Sequence, residues 1–132
     1  KPVNADILKK LLTIAKEQRI KDDEKRVSIM CRNQQQIFYL NEIWYLESSA
    51  HRTIIHTYEN EHVCHDKLSD LEMRMGETFV RCHQSFLVNM KYIRRMEHDR
   101  FKLENGEEIP ISKKRYMEAR ARYFQYLEDA VS

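Results

Sequence analysis

From Val27 to Ile111 the chain alternates apolar and polar residues in short runs, each stopped by a cluster of turn-forming residues. Val27-Ser28-Ile29-Met30-Cys31 and Ile37-Phe38-Tyr39 alternate about a turn at Asn33-Gln34-Gln35, which predicts two strands. Leu40-Asn41-Glu42 leads into Ile43-Trp44-Tyr45-Leu46-Glu47, aromatic and β-branched enough for a central strand. A polar tip at Ser48 to Arg52 turns back into Thr53 to Tyr58, and Glu59-Asn60-Glu61 turns again into His62-Val63-Cys64. Asp66 is placed to cap a helix carrying Leu68, Leu71, Met73 and Met75, which Gly76 ends. Phe79 to Cys82 resumes the strand pattern, which breaks at His83-Gln84-Ser85 and returns at Phe86-Leu87-Val88. Phe101 to Glu104 and Glu107 to Ile111 flank Asn105-Gly106, the signature of a type I′ hairpin. Helical spacing returns at the two ends. Asn4 precedes Ile7, Leu8, Leu11, Ile14 and Ala15, an amphipathic helix to about Ile20. Ser112 precedes a last helix with Tyr116, Ala119, Tyr123 and Tyr126 on one stripe and Met117, Phe124 and Leu127 beside it. The expected fold is mainly β, elongated and built of short strands, with a short internal helix and an α-helix at each terminus.

A chain of 132 residues fits one domain, or one domain with a remnant of another. The charge run Lys21 to Arg26 is the expected boundary, separating a helix and linker at 1–26 from a domain at 27–132. The net charge of +2 conceals segregation: Glu59, Glu61, Asp66, Asp70, Glu72 and Glu77 make the middle acidic, while Lys113-Lys114-Arg115, Arg120 and Arg122 are basic. A basic face can meet nucleic acid while an acidic one stays in water. No apolar run approaches membrane-spanning length, and no signal peptide opens the sequence. Cys31, Cys64 and Cys82 lack the spacing of a disulfide framework. Reduced thiols and a cytoplasmic location are therefore expected.

The candidate chemistry lies at strand ends. In Phe79 to Arg95 a polar triplet sits between apolar anchors, and Arg81, Lys91, Arg94 and Arg95 meet no acid within the stretch. Three tips, Ser49 to Arg52, His83 to Ser85 and Ser112 to Arg115, each join a cation to a group able to hydrogen-bond a base edge. That arrangement suits an anionic polymer that is both gripped and read; an ordinary hairpin with solvated basic ends fits the local pattern equally well. His62, Cys64, His65, Cys82 and His83 lack paired metal-ligand spacing, so neither a metal nor a cofactor is expected. Phosphate loops, nucleophile elbows and zinc-protease motifs are missing, and adjacent Cys82 and His83 point apart on a strand. Catalysis is not expected.

Three pieces, IWYLESSAHRTIIHT, HDKLSDLEMRMGETFVRCHQSFLVNMKYI and LENGEEIPISKKR, resemble the LytTR family of bacterial DNA-binding domains, over about Val27 to Tyr126. The Phe-x-Arg-x-His-x-Ser-x-x-Val-Asn order in the middle piece is the most specific part. The resemblance implies an elongated β domain whose loops enter successive major grooves. By position it implies base contacts from His51, Gln84 and Lys113, with Arg52, Arg81, Ser85, Asn89 and Lys114 contacting phosphates or holding the loops. His83, Lys91 and Arg115 join that backbone-contact or loop-support set. A lysine at 113 lacks the planar fork with which arginine reads guanine. Paired binding on direct repeats of double-stranded DNA, with self-association there, is also implied. Lys1-Pro2-Val3 and the helix after it resemble the end of a receiver domain, through whose absent part a sensor kinase would act. The expected function is sequence-specific DNA binding as the output domain of a two-component response regulator. The alternative is a protein-interaction module that uses an exposed aromatic helix.

Overall fold

Twelve regular elements account for most of the computed structural model, which describes residues 25–131. The leading helix and the receiver-like opening lie outside the described residues. The strands are β1 (Arg26–Cys31), β2 (Gln34–Tyr39), β3 (Ile43–Ser49), β4 (Arg52–Thr57), β5 (Glu61–Cys64), β6 (Phe79–His83), β7 (Phe86–Asn89), β8 (Ile93–Glu97), β9 (Arg100–Leu103) and β10 (Glu108–Pro110). The helices are α1 (Leu68–Met75), between β5 and β6, and α2 (Tyr116–Val131) at the end. The domain is thus mainly β with a short internal helix and a C-terminal helix.

All pairings are antiparallel, in a five-stranded sheet of order β5-β4-β3-β7-β6, a three-stranded sheet β10-β9-β8 and the ribbon β1-β2. The large sheet is buried on both faces, because successive strand residues point opposite ways. Phe79 and Leu87 pack on one side with Ile29, Phe38, Leu71 and Met75 from β1, β2 and α1. Their neighbours Val80 and Val88 pack on the other side with Phe101, Ile109, Ala119 and Tyr123 from the small sheet and α2. Ile43 to Leu46 are buried without alternation, as a central strand requires.

Several boundaries differ from those expected. The first turn is Arg32-Asn33, both at positive φ (51° and 64°), and β2 already begins at Gln34. Two positive-φ residues make the tight connection whose twist matches the strands, so the three-residue turn is unnecessary. Gly106 takes φ 94° but Asn105 does not share it. Gly106 N–H donates to the Leu103 carbonyl and Leu103 N–H to the Glu107 carbonyl, so the hairpin closes with three loop residues instead of a type I′ pair. Asp66 does not cap α1; its carboxylate accepts from Arg74 at 3.2 Å, and the helix starts after Lys67. Met73 is 87% exposed, off the stripe made by Leu68, Leu71 and Met75. Gly76 (φ 85°) ends α1, and Ser112 Oγ accepts the Arg115 N–H before α2, both as expected.

Candidate nucleic-acid interface

The register Ser49↔Arg52 leaves Ala50 and His51 as a two-residue tip, both at positive φ (49° and 66°), with His51 and Arg52 exposed. Pairing of Glu47 with Phe86 brings the start of β7 to the end of β3, where the Ser48 N–H donates to the Ser85 carbonyl at 2.8 Å. On the far side of β6, the Ser112 N–H donates to the Cys82 carbonyl, also at 2.8 Å. Two main-chain hydrogen bonds thus join all three polar tips at one end of the large sheet. No local sequence pattern carries this, since the partners are far apart in the chain.

The middle tip is braced from beneath. Arg81, whose side chain is 10% exposed, pairs with Glu72 at 2.9 Å. Its guanidinium also donates to the His83 carbonyl at 2.9 Å and to the Gln84 carbonyl. The Ser85 N–H donates to His83 Nδ1 at 3.0 Å, which leaves the ring proton of the neutral imidazole on Nε2. The His83 ring meets Phe86 edge-on, 5.5 Å between centroids. Gln84 is left exposed at the apex. Lys113 and Lys114 are exposed on the third tip, with Arg115 half-buried at its base. Among the described residues, no carboxylate pairs with Arg52, Lys113 or Lys114.

Other members of the expected set sit elsewhere. Arg81 is not an unpaired cation, because Glu72 on α1 reaches it from outside the stretch. Arg95 likewise pairs with Glu97. Asn89 is 2% exposed, too deep for a phosphate. Its amide donates to the carbonyls of Leu40 (3.3 Å) and Ile43 (2.9 Å), and its Oδ1 accepts the Lys91 N–H at 3.0 Å. Lys91 lies beyond the opposite end of β7 from the tips, its Nζ 5.9 Å from the centre of the Tyr92 ring. Glu72 is the contributor that the sequence analysis missed. Its helix position carries no signal until α1 packs beside β6.

The LytTR DNA-binding domain model matches residues 34–123. The chain belongs to the LytTR family. A solved LytTR DNA-binding domain, from a Bacillus cereus protein described as a methyl-accepting/DNA response regulator, shares the fold. It matches with a TM-score of 0.63 at 24% identity, covering 74% of this chain and 94% of that one. No curated protein matches. The LytTR domain is a DNA-binding domain, with DNA as its partner, and not an enzyme. In this LytTR domain the aromatic stripe of α2 turns largely inward: Tyr123 is 4% exposed and Tyr116 and Tyr126 are half-buried, leaving Phe124, Met117 and Leu127 outside. Among the described residues, no helix is long and apolar enough to cross a membrane, and no cluster of three metal-ligating side chains occurs.

The cysteines of this LytTR domain are buried and reduced. Burial pushes the thiol of Cys82 up to about 12 and that of Cys64 up to about 11. A thiol held protonated and out of solvent is a poor nucleophile. We expect iodoacetamide at pH 8 to label Cys64 and Cys82 slowly in the folded protein and rapidly in urea, as followed by intact-mass spectrometry. Fast native labelling would contradict this burial.

Proposed function

We propose that this LytTR domain binds double-stranded DNA sequence-specifically by presenting its three joined tips to the major groove side of one duplex. The observation that carries this is the pair of main-chain hydrogen bonds, Ser48 to Ser85 and Ser112 to Cys82, that fix the tips relative to one another. A reader must hold its contacts at the spacing of the base pairs, and tips linked through backbone atoms meet that need without ordering of the loop backbones on binding.

In this reading His51, Gln84 and Lys113 face base edges, and Arg52, Lys114 and Arg115 neutralise phosphates. Arg81, His83 and Ser85 keep the middle tip in shape. Asn89 supports the opposite end of the fold, and Lys91 stays outside the contact set. Successive copies would occupy direct repeats and associate there. The domain would act as the output half of a cytoplasmic response regulator, the residues before β1 being the end of its receiver and linker. A sensor kinase would act through that receiver.

The test begins with selection of bound sequences from a random duplex pool, followed by affinity measurements over a salt series. Gln84→Ala should weaken the selected site by ~1–3 kcal/mol, the usual value of a bidentate amide contact to adenine, and flatten preference at one base position. The salt slope should barely move, because the amide releases no counterion. Equal weakening of selected and scrambled duplexes would remove Gln84 from base reading. Failure of the wild-type domain to prefer any sequence would remove the proposal itself.

A further inference from the structure

The end of the sheet remote from the tips carries a groove that DNA binding leaves unexplained. Trp44 is the second residue of β3, Tyr58 follows β4 and Tyr92 ends the turn after β7, all near the strand ends opposite the tips. At ~3.3 Å per strand residue this is on the order of 15–20 Å away. The Trp44 and Tyr92 rings stack with centroids 4.5 Å apart and 2° between planes, and Tyr58 leans on Trp44 at 5.8 Å. A cavity of about 600 Å³ opens over these rings. It shares Trp44, Tyr58 and Asn105 with a second hollow, so the two adjoin at these residues.

Carboxylates dominate the charge of the groove, with His56 the one basic side chain in its lining among the described residues. Its walls carry Glu42 and Glu104 in the first hollow and Glu59, Glu61 and Glu107 in the second, and among the described residues no lysine or arginine lines either. Some of these acids have internal work. Glu107 accepts from Tyr45 Oη at 2.6 Å, Glu61 lies 3.6 Å from His56 Nδ1, and Glu42 accepts the Tyr39 N–H at 2.8 Å. Glu59 and Glu104 have no side-chain partner among the described residues. Tyr58 is 75% exposed, an aromatic wall without an apolar cover. Lys91, standing over Tyr92, shows that a cation already lies against this aromatic cluster.

We propose that this groove docks a basic, arginine-bearing peptide segment of a second protein while the tips hold DNA. The exposed ring of Tyr58 beside the unpaired carboxylates of Glu59 and Glu104 favours a guanidinium, which stacks flat on a ring and pairs with an acid in one pose. The same field repels the DNA backbone, so the two ends of the domain attract opposite partners. The proposal does not rest on which tip residues read bases.

Trp44 is the chain's single tryptophan, so its emission reports the groove directly. The intact chain is titrated at low salt with a capped hexa-arginine peptide, the matching hexacitrulline peptide and tetramethylammonium chloride. The result expected is a saturable change in Trp44 emission with hexa-arginine alone. The double variant Glu59→Gln/Glu104→Gln should weaken it about five-fold, the loss of two exposed ion pairs in the middle of their usual range, with thermal midpoint and duplex affinity little changed. The proposal is overturned by no saturable change, by an equal response to hexacitrulline, or by equal tetramethylammonium binding, which would mark a small-cation site. It is also overturned if the double variant melts normally yet binds hexa-arginine as tightly as the wild type. Loss of DNA binding with peptide binding intact would count against the proposed function alone.

Discussion

Asn89→Ala is expected to destabilise the domain by about 2–4 kcal/mol while leaving the DNA affinity of the folded protein nearly unchanged. Asn89 is 2% exposed and ends β7, where its amide donates to the carbonyls of Leu40 and Ile43 and its oxygen accepts the Lys91 N–H. One side chain therefore fastens the entry of the central strand β3 to the exit of β7. Truncation leaves buried carbonyls and an N–H with fewer partners, each costing roughly 1–3 kcal/mol in the worst case, and opens a small cavity. Asn89→Asp should do at least as much harm. It keeps the acceptor for Lys91 but turns a second unprotonated oxygen on two carbonyls, with a buried charge added. Urea melts of both variants give the stabilities, and duplex titrations well below the melting temperature give the affinities. A variant that melts like the wild type but loses affinity would return Asn89 to the DNA contact set.

That contrast marks where sequence reasoning stops. Local pattern carries nine of the ten strands and both helices of the described region, because alternation and helical spacing are properties of neighbours in the chain. The exception is β8, which has Arg94 and Arg95 exposed in succession, lacks that alternation and was not among the expected strands. The central position of β3 was also legible: Ile43, Trp44, Tyr45 and Leu46 form an uninterrupted apolar run, which needs cover on both faces. The tips were legible as polar breaks. Their convergence was not, since it depends on the Glu47↔Phe86 register and on the Ser112 to Cys82 hydrogen bond. The sorting of cations failed for the same reason. Arg81 and Arg52 look alike as basic residues beside polar tips, yet Arg81 meets Glu72 across the packing of α1 on β6 and Arg52 meets solvent. Asn105-Gly106 failed differently, because the same dipeptide serves two-residue and three-residue hairpins and the strand register decides between them.

Arg81→Ala and Arg52→Ala should consequently weaken DNA binding for different reasons. Arg81 carries charge, but its guanidinium is spent on Glu72 and on the His83 and Gln84 carbonyls, and its side chain is 10% exposed. A fully buried ion pair broken on one side costs about 3–5 kcal/mol; Glu72 is 36% exposed, so water repays part and about 2 kcal/mol of folding stability is the loss expected. The middle tip then loses the brace that fixes its carbonyls, and affinity falls at every salt concentration by a similar factor, the salt slope staying put. Arg52 is exposed at the first tip and has no acidic partner among the described residues. Its removal should change stability by no more than about 0.5 kcal/mol and reduce the magnitude of the salt slope by about one. Lysine separates the two roles. Arg52→Lys keeps the charge and should bind nearly as the wild type, because a phosphate accepts any cation. Arg81→Lys keeps the charge but not the planar fork that reaches three acceptors, so it should resemble Arg81→Ala in both melt and affinity. Restoration of stability and binding by Arg81→Lys would show that charge at this position, rather than the clamp on the loop, is what the interface uses.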